Sequence, residues 1–226
     1  MAIIVAMVSQ KGGVGKSTLA RLLACVFAAI GWNIKIADLD TSQATSFKWR
    51  TRRLQNNIEP DVPVEQFGNV QRALAVADHY DMVILDGAPH ATTATQTAAQ
   101  ASDLTIIATG LATDDLDPAV VVAHDLVKSG VQREKIVFAL CRVGDSAIEI
   151  EEAREFLRKA GYDVLPGSLP EMTGYRRASD QGRALTETRF QTLNHRAEEV
   201  AQGMVDRISQ LADPAAIKLE MKRSTT

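Results

Sequence analysis

Lys11-Gly12-Gly13-Val14-Gly15-Lys16-Ser17-Thr18 is the stretch that decides the fold. An apolar run at 3–8 precedes it and a helical pattern at 16–29 follows it, so the order is strand, glycine-rich loop, helix. Glycines at 12, 13 and 15 let successive backbone N–H groups turn toward one anion, and the start of the following helix adds positive potential there. In such a loop the lysine at position 16 reaches the β- and γ-phosphates of a nucleotide, and the Ser17 hydroxyl coordinates Mg²⁺. The common phosphate-loop pattern begins with glycine at the place held here by Gln10, and Lys11 follows it, so this loop is a variant form.

Outward from the loop, short apolar runs at 33–37, 82–85, 104–108 and 135–140 alternate with helical patterns at 42–54, 70–77, 92–101, 118–127 and 148–160. Strands that alternate with helices predict an α/β fold, a doubly wound, mostly parallel sheet with its ligands at the strand C-terminal ends. Beyond residue 164 the reading is a short apolar run, a polar segment over 175–183 and a long helix over 193–211. No linker-like composition divides the chain, which predicts one phosphate-loop domain over 1–212 and a flexible tail over 213–226.

Of the 226 residues 46% are hydrophobic but only 5% aromatic, which predicts a core of Ala, Val, Ile and Leu. The formal net charge of −3 argues against a surface that coats nucleic acid everywhere, and leaves room for a local basic patch. Cys25 and Cys141 form no CxxC pair, which excludes a cysteine-ligated metal or cluster and predicts buried thiols in a reducing compartment. The first residues carry no basic leader or cleavage pattern, and no apolar run approaches the ~20 residues needed to cross a bilayer. The expectation is a soluble protein.

The run KGGVGKST resembles the deviant Walker A loop of the ParA/MinD ATPases. That resemblance implies that Lys11 reaches the nucleotide of a second subunit, so that the protein forms a homodimer on binding ATP. Asp38-Leu39-Asp40 at the end of the second strand is similar to the family's DxDPQ segment, with Thr41-Ser42 where the proline is usual. By that match Asp40 orients the attacking water, Asp38 supports the switch segment, and Ser17, Asp40 and Asp86 attend Mg²⁺. Taken alone, an Asp-Leu-Asp would more often cap a helix. Asp86-Gly87-Ala88 after the next strand looks like the switch of small plasmid ParA proteins of the ParF type, and departs from the commoner Pro-Pro.

The same resemblance implies a slow, partner-stimulated ATPase that binds nonspecific DNA and works with a ParB-like or other DNA-binding adaptor in DNA segregation. Its location would then be cytoplasmic and nucleoid-associated. Arg176, Arg177 and Arg183 would face the DNA, unless nearby carboxylates such as Asp180 hold them; 48–53 is a second basic stretch that reads as a solvated helix face. No NKxD-like element is present to read guanine, so adenine is favoured, and Arg142 either flanks the base or is a surface arginine. Two relatives with other cargo stay open: an ATPase that positions a microcompartment or chemoreceptor cluster, and a MinD-like membrane-cycling regulator. The tail offers only Ile217, Leu219 and Met221 in alternation, which does not favour membrane contact.

Overall fold

The computed structural model describes residues 2–88 and 93–211, so the tail expected over 213–226 lies outside the described residues, as do Pro89 and Thr92. Along the chain the elements are β1 (Ile3–Val8), α1 (Lys16–Ala29), β2 (Ile34–Asp38), α2 (Thr45–Gln55), β3 (Val64–Gln66), α3 (Val70–Leu74), β4 (Met82–Asp86) and α4 (Thr93–Gln100). They continue with β5 (Leu104–Thr109), α5 (Thr113–Lys128), β6 (Ile136–Val143), α6 (Ala147–Lys159), β7 (Asp163–Val164), β8 (Leu169–Pro170), α7 (Thr173–Asp180) and α8 (Gln191–Leu211). The strands order as β3-β2-β4-β1-β5-β6-β7, β8 also pairs with β6, and every pairing is parallel.

Because alternate side chains leave opposite faces of a strand, near-continuous apolar strands bury both faces. Val5, Met7, Ile34, Ile36, Ile84 and Ile106 turn to one side, where α1, α2, α7 and α8 cover them. Ala6, Val8, Val83, Leu85, Ile107 and Phe138 turn to the other, under α3 to α6. The two layers place the ends of β1, β2 and β4 side by side, with Asp38 in register with Asp86 and Met7 beside Asp86.

Several boundaries differ from the sequence reading for local reasons. Helix α2 starts at Thr45 rather than 42, because Asp40 Oδ1 accepts from the Ser42 hydroxyl at 2.6 Å and the Gln43 N–H at 3.1 Å, folding that stretch into a turn. Helix α5 starts five residues ahead of Pro118: Asp114 and Asp115 fill its first turn, where negative charge suits the helix dipole. The polar stretch 175–183 is largely helix α7, and β3, β7 and β8 are two- or three-residue strands too short to show a period. Among the described residues no helix is long and apolar enough to cross a membrane.

Candidate nucleotide-binding site

Between β1 and α1 the loop turns on Gly13 at φ 78° and Gly15 at φ 121°, values that side chains rarely adopt. Gly15 is doubly required, since a Cβ there would press on the Cys141 side chain at 3.0 Å. The first N–H groups of α1 have no partner within the helix, as in any α-helix, and no side chain caps them. Lys16 is buried at the loop's base and donates to Ser9 Oγ at 2.8 Å. Burial lowers its pKa against the attraction of Asp86 and Asp40.

Asp86 ends β4 with 1% exposure and accepts from Ser46 Oγ at 2.6 Å and from Ser17 Oγ at 3.1 Å. Burial pushes its carboxyl up to about 6; the neighbouring Asp38 adds to that, while the two hydroxyls and Arg21 oppose it. Asp38 accepts from the N–H groups of Asp40, Ser46 and Phe47, and so caps α2 from across the site, where Ala44 in the N-cap position cannot. Its pKa is raised by burial in spite of those donors. For the half-exposed Asp40, desolvation is outweighed by the bonds from Ser42 and Gln43 and by Lys16, and the net shift is downward.

These oxygens fit a hard divalent cation that shares phosphate oxygens: one hydroxyl and a buried carboxylate in contact, with a second carboxylate nearby. No cluster of three His, Cys, Asp or Glu able to enclose a metal occurs among the described residues. Ser46 was missed from sequence. Its signal was the spacing of Ser46, Trp49 and Arg53, which share one buried face of α2.

Lys11 lies at the rim, where its Nζ donates to Asp115 Oδ1 at 2.8 Å. On the other side of the loop a cavity of about 380 Å³ is lined by Gly13, Thr18, Pro170, Met172 and Tyr175. Arg142, at φ 57° beside a register shift in β6, donates to the Gly13 carbonyl at 3.2 Å and to Glu171 at 3.0 Å. Arg176 also pairs with Glu171, at 3.3 Å, on the wall of that cavity. Arg177 and Arg183 are elsewhere: together with Arg189 they line a separate cavity of about 480 Å³. The structure therefore places Arg177 and Arg183 together with Arg189 and sets Arg176 apart from them.

The stretch 48–53 is not a solvated face throughout. Arg53 is fully buried, bonded to both oxygens of Glu187 at 2.7 and 2.8 Å and stacked on the buried Trp49 ring at 5.3 Å. Arg50 pairs with Asp61 at 2.8 Å. Helical spacing made the stretch look like a basic stripe; the polar carbonyls and carboxylate of the 180s and residue 60 supply the partners that make burial of Arg53 tolerable.

A glycine-rich phosphate loop on a parallel sheet, with carboxylates at the ends of β2 and β4, defines a P-loop nucleotide-binding protein. Residues 5–185 match the model of the CobQ/CobB/MinD/ParA nucleotide-binding domain, and the chain belongs to that family. It is 26% identical over 188 residues to the maintenance of carboxysome distribution protein A of Gloeobacter kilaueensis, covering 82% of this chain and 85% of that protein. It shares its fold with the septum site-determining protein MinD of Pyrococcus horikoshii complexed with Mg-ADP, at TM-score 0.72 and 18% identity, over 96% of this chain and 99% of the other. A plasmid partition protein of Borrelia burgdorferi bound to AMPPNP gives TM-score 0.69 at 16% identity, over 92% and 100%.

Proposed function

We propose that this protein is a ParA-type ATPase that binds Mg·ATP in residues 11–18, dimerises around it, and uses the cycle to segregate DNA with a DNA-binding adaptor. The observation that carries the reading is the joined set Lys16–Ser9, Ser17–Asp86 and Ser46–Asp86 at the strand ends, beside a loop that has a second lysine at 11. Lys16 faces the β/γ-phosphates, Gly12–Thr18 supply backbone donors, and Ser17, Asp86 and Asp40 hold Mg²⁺, which when bound neutralises phosphate charge. Asp40 orients the attacking water. Lys11 completes the partner's site, after leaving Asp115. Turnover of the isolated chain is slow, because an in-trans cation in such sites is worth ~10³–10⁵ in rate.

For DNA, we assign Arg177, Arg183 and Arg189 to phosphate contacts, since they line one cavity, while Arg176 is held by Glu171 and Thr173. The test is binding of nonspecific duplex DNA with ATP over a salt series. Each lost arginine contact should lower the salt slope by ~1, doubled if both dimer copies engage. Unchanged affinity and slope in Arg177→Ala/Arg183→Ala would remove this patch, and Arg176→Ala tests the remaining arginine.

The 26% identity to a carboxysome-distribution protein favours a second reading, in which the adaptor links the ATPase to a protein-built cargo. Pull-down with ATP-trapped protein separates the two, according to whether the adaptor recovered binds a DNA site or a particle.

A further inference from the structure

Arg21, Trp49 and Arg53 form a buried cluster where α1, α2 and α7 meet, and both guanidinium groups lie over the Trp49 ring, at 5.8 and 5.3 Å from its centroid. Apolar side chains often fill such a space as stably, because a buried charge must give up its water. What the polar groups add is direction, since each bond sets one atom of one element against one atom of another.

The bonds run from the phosphate and metal site along two routes. On the first, the Ser17 carbonyl accepts from Arg21 Nε at 2.6 Å, and Arg21 Nη1 donates to Ser179 Oγ on α7 at 3.0 Å. On the second, Asp86 accepts from Ser46 Oγ in the first turn of α2 at 2.6 Å. One turn further, Trp49 Nε1 donates to the Arg183 carbonyl at 3.1 Å; after another turn Arg53 Nη1 donates to the Gly182 carbonyl, also at 3.1 Å. Both routes end on 179–183, the stretch that joins Arg177 to Arg183.

The root of α2 is a strained joint. Ala44 stands at φ 51°, in the left-handed region that its Cβ disfavours, and its N–H is held by the Asp40 carbonyl at 2.8 Å. Strain of this kind persists only where surrounding bonds such as Ser46–Asp86 hold it, so a change in those bonds is passed to the helix.

We infer that Arg21 and Trp49 are positioning residues that carry the state of the phosphate and metal site to 179–183, and so set whether Arg183 is aligned with Arg177 to meet DNA phosphate. The coupling runs inside one chain, apart from the Lys11 contact across the dimer. Its DNA end rests on the proposed function; its inner end rests only on nucleotide binding at 11–18.

Two variants test it: Trp49→Phe keeps a ring but loses the N–H to Arg183, and Ser179→Ala removes the hydroxyl that Arg21 holds. Amide hydrogen exchange over 177–187 is read first, with and without Mg·ATP. Exchange there should change on nucleotide binding in wild type, and the change should shrink by about threefold or more in each variant at unaltered ATP affinity and basal hydrolysis. Duplex DNA anisotropy is read second. The gain in DNA affinity on adding Mg·ATP should fall by about fivefold in each variant, the worth of one hydrogen bond, at an unchanged dimer population by sedimentation. Adding Arg183→Ala to Trp49→Phe should cost nothing beyond Arg183→Ala alone. A wild-type exchange response in variants that melt as folded proteins overturns the inference, as do additive losses in the double variant or a loss explained by fewer dimers. A wild type whose exchange over 177–187 ignores Mg·ATP overturns it too. Wild-type protein that responds in exchange but binds no DNA would sink the DNA reading and leave the coupling standing.

Discussion

Lys11 and Asp115 are 104 residues apart in sequence and 2.8 Å apart in space, because β1 and β5 are neighbours and the loop after β1 meets the first turn of α5 after β5. The side chains keep 45% and 25% exposure, so the pair adds little to folding. Exposed pairs are worth roughly 0.2–1 kcal/mol.

That small value predicts how Asp115 affects assembly. Asp115→Asn should leave the melting temperature nearly unchanged and raise the ATP-dependent dimer population by up to about fivefold, the equivalent of one such pair. Lys11→Ala should bind ATP and stay monomeric. Sedimentation velocity with ATP reads both, and identical dimer populations for Asp115→Asn and wild type would show that the ion pair does not restrain Lys11.

Lys16→Ala should abolish nucleotide binding, since the remaining backbone donors cannot balance the β/γ-phosphate charge. Asp40→Ala should bind ATP, hydrolyse it poorly and accumulate dimer. Titration calorimetry and phosphate release check the two; wild-type affinity in Lys16→Ala would end the phosphate-loop assignment.

The Arg53–Glu187 pair tests the packing of the late segment. Arg53 has no exposed side-chain surface and meets Glu187 at 2.7 Å, so Arg53→Ala leaves a carboxylate facing a cavity and should cost about 3 kcal/mol. Gly182, at φ 79°, has no room for a Cβ against the Arg53 backbone, so Gly182→Ala should also destabilise. Urea denaturation measures both, and an unchanged midpoint for Arg53→Ala would mean that the pair contributes nothing.

Burial pushes the thiols of Cys25 and Cys141 up to about 12. Thiolate is the reacting form, so at pH 8 about one thiol in 10⁴ is reactive, rising tenfold with each pH unit until the pKa is reached. Ellman's reagent should therefore find no fast thiol in the native protein and two after denaturation. Rapid reaction of one thiol at pH 8 would contradict this.

What the sequence by itself determined was whatever rests on local pattern: the strand–loop–helix order around Lys16, the alternating strands and helices of the parallel sheet, and Asp38 and Asp86 at strand ends. These follow from periodicity and from the loop's glycines, which act over a few residues. Only tertiary structure decided which distant groups meet. It bonded Ser46 to Asp86, buried Arg53 against Glu187, paired Lys11 with Asp115, and divided Arg176 from Arg177 and Arg183. A charged side chain looks the same in sequence whether it meets water or a carboxylate from another element. Which it meets depends on how the layers stack on the sheet, and there a buried charge is tolerated only where the fold brings it a partner.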